Sequence, residues 1–190
     1  PVEAEKKLEV LMKLLPQASG GQVLIFTRTK HRAKKLALQL SKAGLAATSL
    51  QGNLSQNQRQ QAMDSFRRGR VRVLVATDIA ARGIDVTEIS HVINYDMPDT
   101  ADAYTHRIGR TGRMARAGAA FSLVTQSDLP MLRTIEKQLG YTIEQRQVQG
   151  FEVELKTPAH LVIKANSPSL RRWSPPRSRV AFSGSPRRWR

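Results

Sequence analysis

The feature that most constrains the fold is a regular alternation of short apolar runs with longer segments of helical periodicity. The first apolar run, Val23–Phe26, is continuous, which is typical of a strand covered on both faces. In residues 30–43, which follow it, apolar side chains recur every three or four positions. The alternation continues to Gly140, and it predicts an α/β fold: a parallel sheet with helices on both faces.

Local signals divide this pattern into elements. Pro16 is expected to stop the first helix, and Ser55 with Gln58 forms a capping-box pattern that opens the third. Predicted strands are Val23–Phe26, Ala46–Leu50, Val71–Ala76, His91–Tyr95 and Ala119–Thr125. Predicted helices are Glu3–Leu15, residues 30–43, Ser55 to Gly69, a helix capped by Asp99 or Thr100, and Asp128–Leu139.

The side of each helix that is expected to pack against the sheet follows from the 3.6-residue helical period. In the first helix this face carries Leu8, Leu11, Met12 and Leu15, and in the second it carries Ala33, Leu36, Ala37 and Leu40. The third helix carries Arg59, Ala62, Met63 and Phe66 on that face.

Candidate ligand-binding residues fall directly after predicted strands. Thr27 follows the first strand, Gly52 the second and Thr77 the third. Because ligands of open α/β sheets bind at the carboxyl ends of the strands, these positions predict a binding edge.

The basic run Tyr104–Arg113 is the strongest candidate for a site. Its arginines, together with one just beyond the run, recur every third residue: Arg107, Arg110, Arg113 and Arg116. A helix would place His106, Arg107 and Arg110 on one face, where the like charges repel unless an anion lies between them. The interleaved glycines Gly109 and Gly112 allow close approach of the backbone, so the run predicts a phosphate clamp. The alternative is a solvated basic helix end.

Two further stretches carry polar groups suited to nucleic acid. Residues 75–85 leave a strand and turn through Gly83, and Asp85 could accept a hydrogen bond from a ribose hydroxyl or serve as a turn residue. Residues 56–59 read Gln-Asn-Gln-Arg. From the first turn of a helix Arg59 could reach a phosphate, or it could lay its stem over the core with its head in water.

Charge favours a polyanionic partner. The net charge is +16. Residues 1–154 hold 22 Lys+Arg against 15 Asp+Glu, and residues 155–190 hold nine Lys+Arg and no acid. We expect a domain over 1–154 and a basic low-complexity extension over 155–190, with nucleic acid as the first candidate partner and no membrane contact. Without cysteine the chain has no disulfides or Cys-based zinc sites, and its four histidines lack metal-ligand spacing.

These motifs resemble those of one family. His106 to Arg113 is similar to the last signature motif of DEAD-box RNA helicases, residues 75–85 resemble their motif V, and residues 56–59 match their Gln-x-x-Arg element. Leu24–Thr27 and Gln51-Gly52 resemble neighbouring RNA-gripping motifs more weakly, since the family commonly has histidine in place of Gln51. The resemblance covers about residues 2–154, the second of two RecA-like domains. Residues 132–151 look most similar to bacterial helicases of the RhlE type.

The resemblance implies specific roles. Arg110 and Arg113 would meet the γ-phosphate of ATP in the transition state, while His106 and Arg107 would couple the nucleotide state to the other helicase domain. Asp85 and Gly83 would contact the nucleotide. RNA would be bound by Thr27, Gly52, Gln56, Arg59, Thr77 and Gly83.

The sequence contains no Gly-x-x-x-x-Gly-Lys-[Ser/Thr] loop and no Asp-Glu-Ala-Asp motif. We therefore expect a catalytically incomplete half of an enzyme, with ATP and Mg²⁺ held by a separate N-terminal RecA-like domain and no metal site in this chain. RNA and that domain are the expected partners, and the isolated domain is expected to be a cytoplasmic monomer. The alternatives are a non-catalytic RNA-binding module with the same fold and a DNA helicase of the same superfamily.

Overall fold

The computed structural model describes residues 1–18, 21–82, 84, 89–111, 118–146 and 148. Five parallel strands form one sheet in the order β2-β3-β1-β4-β5. The predicted α/β class with a parallel sheet is confirmed, and each strand lies within three residues of its predicted bounds. The strands are β1 Gln22–Phe26, β2 Ala47–Leu50, β3 Val73–Ala76, β4 Ile89–Asn94 and β5 Ala119–Ser122.

Helices cover both faces of the sheet, because alternate side chains of each strand point to opposite sides. Val23 and Ile25 of β1 join a core with the first two helices, whereas Leu24 and Phe26 join a second core with the third and fourth. The helices are α1 Lys7–Gln17, α2 Lys30–Lys42, α3 Gln56–Arg67, α4 Asp78–Ala81, α5 Ala101–Ile108 and α6 Leu129–Leu139. A 3₁₀ turn, Gln126–Asp128, precedes α6.

Helix α2 has the predicted inner face, since all four predicted side chains are buried. The predicted capping box of α3 is also present. Ser55 Oγ accepts a hydrogen bond from the Gln58 amide at 3.2 Å, and Gln58 Oε1 accepts one from the Ser55 amide at 3.0 Å. Gly140 ends α6 in the left-handed region at φ 75°, as predicted for a helix C-terminus.

The bounds predicted for α1 are wrong at both ends. The helix begins at Lys7 rather than Glu3, and it continues to Gln17, so Pro16 lies inside its last turn. The Ala18 amide still donates a hydrogen bond to the Leu14 carbonyl at 3.2 Å, so the backbone hydrogen bonding of the helix continues past the proline.

The predicted inner face of α1 is correct in part. Leu11 and Leu15 are fully buried, but Leu8 and Met12 are only partly buried and Val10 joins the core instead. In α3, Met63 and Phe66 are buried as predicted.

The first residue of α1, Lys7, is a buried lysine. Lys7 Nζ donates to the Tyr95 carbonyl at 2.8 Å and lies 3.7 Å from Asp96 Oδ1 and 3.9 Å from Asp128 Oδ2. Burial lowers the pKa of Lys7, and the carboxylates of Asp96 and Asp128 act in the opposite direction. Through these contacts α1 is attached to the carboxyl end of β4 and to the turn before α6.

Candidate functional site

The three strand-end residues lie together at one edge of the sheet, because β2, β3 and β1 are neighbours in it. Gly52 is exposed, and no atom lies within 4 Å of the position that a Cβ would take there. Thr77 is partly exposed at the start of α4. Thr27 is fully buried, and its hydroxyl donates to the Thr29 carbonyl at 3.3 Å. Gly52 and Thr77 are therefore accessible to a ligand, whereas the Thr27 side chain is not.

The turn that carries Gly52 is held by side chains. Gln51 is buried, and its Oε1 accepts a hydrogen bond from the Asn53 amide at 2.8 Å. Asn53 Oδ1 in turn accepts one from Lys30 Nζ at 3.1 Å, which joins this turn to the first turn of α2. Gln56 is exposed at the start of α3 on the same edge.

Arg107 is a buried anchor. Only 2% of the residue is exposed. Its Nε and Nη2 donate to the two carboxylate oxygens of Asp78, each at 2.6 Å, and its Nη1 donates to Asn94 Oδ1 at 3.1 Å and to the Asp96 carbonyl at 2.7 Å. The guanidinium also lies 5.0 Å from the centre of the Phe26 ring. The guanidinium thus faces protein groups and ties α5 to α4 and β4, while its role in coupling nucleotide state stays a prediction.

Arg110 occupies a different environment. Helix α5 ends at Ile108 with Gly109 as its C-cap, so the prediction that Arg110 shares a helical face with Arg107 is wrong. Arg110 is partly exposed, and its Nη1 donates to the Ile84 carbonyl at 3.0 Å. No other hydrogen-bond or ion-pair partner of its guanidinium is found within the described residues.

Other members of the basic run are placed as follows. His106 is exposed on the last turn of α5, and Tyr104 is a packing residue in the core between α5 and α6. Thr111 Oγ1 lies 3.1 Å and 3.0 Å from the carbonyl oxygens of Ile89 and Ser90, which fastens the turn to the start of β4. Arg113 and Arg116 lie outside the described residues.

Arg59 contacts backbone carbonyls. Its Nη2 donates to the carbonyls of Ala80 at 2.8 Å and Arg82 at 3.2 Å, at the end of α4. The contact uses one nitrogen of the guanidinium, and Arg59 is partly exposed. Binding of RNA by Arg59 remains a prediction, and the predicted contacts of Gly83 and Asp85 lie outside the described residues.

Three arginines therefore surround α4 and the residues after it. Arg107 holds Asp78 at its start, Arg59 holds its last carbonyls, and Arg110 holds the Ile84 carbonyl. The sequence interpretation did not include this helix, since four residues are too few to display a helical period. Asp78, which directly follows Thr77, is the partner that the interpretation missed.

A second ionic cluster at this edge was also not predicted. Asp96, which is 3% exposed, accepts from Arg32 Nη1 at 2.7 Å and from the Arg28 amide at 3.0 Å. Arg28 Nε lies 3.4 Å from Asp99 Oδ1. The carboxylates that follow β4 therefore neutralise the first two arginines that follow β1.

Within the described ranges, no group of three or more histidine, cysteine, aspartate or glutamate side chains is arranged to hold a metal ion. Over the same part of the chain, no helix combines the length and the apolar character that crossing a bilayer requires.

Comparison with known proteins defines the class. The helicase conserved C-terminal domain matches residues 6–115, more than half of the chain. The chain belongs to this family. Within the family it is a RecA-like C-terminal domain of the DEAD-box type.

Individual relatives agree with this assignment. The ATP-dependent rRNA helicase RRP3 of Candida glabrata is 45% identical over 138 residues, which are 73% of this chain and 28% of that protein. The crystal structure of the Escherichia coli DEAD-box protein SrmB bound to regulator of ribonuclease activity A is 41% identical, with a TM-score of 0.73 over 77% of this chain and 86% of that one. Dbp5 of Saccharomyces cerevisiae, bound to RNA and ADP BeF3, is 38% identical, with a TM-score of 0.69 over 75% of this chain and 38% of that one.

The chain spans 28% of the length of the fungal RRP3 protein. Because fungal and bacterial proteins match at similar identity, the RhlE subtype stays a prediction.

Proposed function

We propose that this chain is the C-terminal half of an ATP-dependent DEAD-box RNA helicase. It works with an N-terminal RecA-like domain that carries the phosphate loop and the metal ligands, and it is catalytically incomplete alone. The family assignment and the names of its relatives support the helicase class. The proposal that the chain is only one half of an enzyme is supported by the lack of a phosphate-loop motif in the sequence. The proposed setting is the cytoplasm.

The observation that carries the catalytic part of the proposal is the contrast between Arg107 and Arg110. All three guanidinium nitrogens of Arg107 donate to protein acceptors, whereas Arg110 is partly exposed and makes one contact, with a carbonyl, within the described part of the chain. A guanidinium with donors to spare suits the oxygens of a phosphate, which it can grip in pairs. Arg110 thus acts as an arginine finger, and Arg107 positions the segment that carries it.

The groups present in this chain fit the phosphate end of a nucleotide. The exposed His106, on the last turn of α5, and Arg110, just after that helix, would face the nucleotide, with Arg113 and Asp85 as further proposed contacts. ATP with Mg²⁺ supplies the phosphoryl group to be transferred and the charge that the arginines meet. The contact with the Ile84 carbonyl holds the positive charge of Arg110 in place beforehand, which favours the charge that develops in the transition state.

RNA is proposed to run along the carboxyl edge of the sheet. Gly52 is open at its Cβ position and Thr77 offers a hydroxyl, so both suit contacts to a sugar–phosphate backbone. The related Dbp5 structure contains RNA. Such contacts hold a strand without reading its sequence, and closure of the two domains would bend it so that a short duplex separates.

The test uses the complete helicase with Arg110→Ala. We expect turnover of ATP to fall by roughly 10³–10⁵, the range for arginine fingers, with little change in ATP affinity because the contact strengthens in the transition state. Arg68→Ala is the matched control, since this exposed arginine lies after α3 at the other end of the sheet. Normal turnover with weakened ATP binding in Arg110→Ala would contradict the assigned role.

The chain 1–190 alone is expected to show no RNA-stimulated ATPase activity. Turnover by this chain that Arg110→Ala abolishes would refute the half-enzyme proposal. A complete protein that binds RNA but never hydrolyses ATP would instead identify a non-catalytic RNA-binding module.

A further inference from the structure

Helix α2 carries exposed lysines to which the proposed function gives no contact with RNA. Lys30, Lys34 and Lys35 are exposed, whereas Ala33, Leu36, Ala37 and Leu40 of the same helix are buried. We call these three residues the α2 lysine face.

No acidic residue in this part of the chain balances that face. Residues 10–63 contain no aspartate or glutamate, so α2 lacks the i,i+4 ion pairs that usually accompany lysines on a helix. Lys30 and Lys34 are instead a like-charge pair at that spacing, which destabilises the helix. The same stretch carries eight basic residues: Lys13, Arg28, Lys30, Arg32, Lys34, Lys35, Lys42 and Arg59.

Carboxylates from elsewhere in the fold reach only some of these cations. Arg28 and Arg32 lie within 4 Å of carboxylates that follow β4. Among the residues that the structure describes, no carboxylate lies that close to Lys34 or Lys35, and neither side chain has another polar partner. Lys30 contacts the neutral Asn53. The α2 lysine face therefore keeps its positive charge uncompensated in this part of the protein.

The position of this face continues the proposed RNA edge. Lys30 bonds to Asn53, the residue after Gly52, so the first turn of α2 adjoins the strand-end site. Lys34 lies one turn further on, about 6 Å along the helix axis. Positive charge thus extends from the carboxyl end of β2 down the outside of α2.

We propose that the α2 lysine face binds the phosphates of RNA that extends beyond the strand-end site. This inference rests on the proposed RNA-binding function and adds a second contact surface to it. Lysine ammonium groups bind phosphates as point charges, so the surface increases affinity without choosing a sequence.

The test compares two double substitutions that remove the same charge. Lys34→Gln with Lys35→Gln removes two cations from α2, and Arg68→Gln with Arg70→Gln removes two from the turn between α3 and β3. Both control arginines are exposed and without a carboxylate within 4 Å in the described part of the chain, and they lie at the amino end of the sheet. Binding of a fluorescent single-stranded RNA to the chain 1–190 is titrated over a range of salt concentrations.

We expect the α2 variant to lose roughly tenfold in affinity at low salt, which is what two exposed ionic contacts supply. The slope of log affinity against log salt should flatten by about 1.4, because each phosphate contact on a single strand contributes about 0.7. The control variant should stay within about twofold of the unsubstituted chain, with its slope unchanged.

Each other outcome contradicts a specific statement. Equal losses in both variants would mean that overall charge, and not the α2 lysine face, sets the affinity. If the α2 variant lost no affinity for RNA, RNA would not be the partner of the α2 lysine face. An acidic protein surface would then be the remaining class of partner. If the unsubstituted chain bound no RNA at all, the proposed function itself would fail before the variants were compared.

Discussion

Arg107 and Arg110 are three positions apart and perform opposite tasks. Arg107 lies on the last turn of α5 and points into the protein, where acceptors from α4, β4 and the segment after β4 surround it. Arg110 lies after the helix has ended, and among the described residues its guanidinium has one partner, the Ile84 carbonyl. The end of α5 at Ile108 is what separates the structural arginine from the one that we propose meets a ligand.

At the residue scale we predict that Arg107→Ala lowers the free energy of unfolding by about 2–4 kcal/mol. The substitution leaves the buried Asn94 side chain and the buried Asp96 carbonyl without their donor, and each such loss costs about 1–3 kcal/mol. Urea denaturation of the chain 1–190 measures the change. Arg107→Lys should also destabilise the domain, since an ammonium group cannot form the two parallel hydrogen bonds that the guanidinium donates to the Asp78 carboxylate.

Arg110→Ala is the control for this prediction. Because Arg110 is partly exposed and makes a single described contact, its loss should change the free energy of unfolding by less than about 1 kcal/mol. Similar losses for the two alanine variants would contradict the division of roles between them.

At the element scale, α4 is a four-residue helix held by contacts from outside itself. It is far shorter than a helix that is stable alone, so it depends on Arg59 from α3 and Arg107 from α5. Ala80 and Ala81 also bury their methyl groups in the core beneath it. Helices α3 and α5 thus set the position of α4 and of Thr77, which directly precedes it.

We predict that Arg59→Ala loosens this segment without unfolding the domain. The Ala81 amide bonds to the Thr77 carbonyl at 2.9 Å and the Ile84 amide to the Ala81 carbonyl at 3.1 Å. Hydrogen exchange at these two amides should accelerate about tenfold, since a charge-assisted hydrogen bond contributes about 1.5 kcal/mol to local stability. Arg67→Ala, whose side chain pairs only with Asp64 in the described part, is the matched control on the same helix.

If protection at these amides were unchanged in Arg59→Ala, the contacts with Ala80 and Arg82 would not position the segment. Affinity for unrelated single-stranded RNA sequences should fall equally in this variant, because backbone contacts position a strand without reading it.

At the scale of the whole molecule, charge divides the chain into two parts. Residues 1–154 carry 22 Lys+Arg against 15 Asp+Glu, a net charge of +7, and residues 155–190 carry +9 without an acid. The second part also holds Trp173, Phe182 and Trp189, and aromatic side chains can stack on bases. We propose that residues 155–190 act as an electrostatic tether that keeps the domain near its RNA.

We predict that truncation after Glu154 reduces the salt dependence of RNA binding. If about half of the nine charges engage phosphates, the slope of log affinity against log salt should flatten by roughly 3. Titration of one single-stranded RNA with 1–190 and with 1–154 measures the difference. Parallel lines from the two chains would rule out the tether.

The sequence by itself determined the class of fold and the approximate positions of the strands and of the longer helices. Apolar runs located the strands, and the inner face of α2 followed from a 3.6-residue period. The capping box at Ser55 and the left-handed Gly140 are likewise local. Thr27, Gly52 and Thr77 could be assigned to one edge because parallel strands bring their carboxyl ends together.

Only the tertiary structure decided what the charged residues do. The acceptors of Arg107 lie 11 to 29 positions away in the sequence, and those of Arg59 lie 21 and 23 positions away. Burial of Lys7 depends on Tyr95, which is 88 positions away. Periodicity and capping act within a few residues, whereas the partner of a buried charge is chosen by the order of the strands and the packing of helices on them. For this reason the sequence could identify the basic run but could not divide its arginines between structure and ligand.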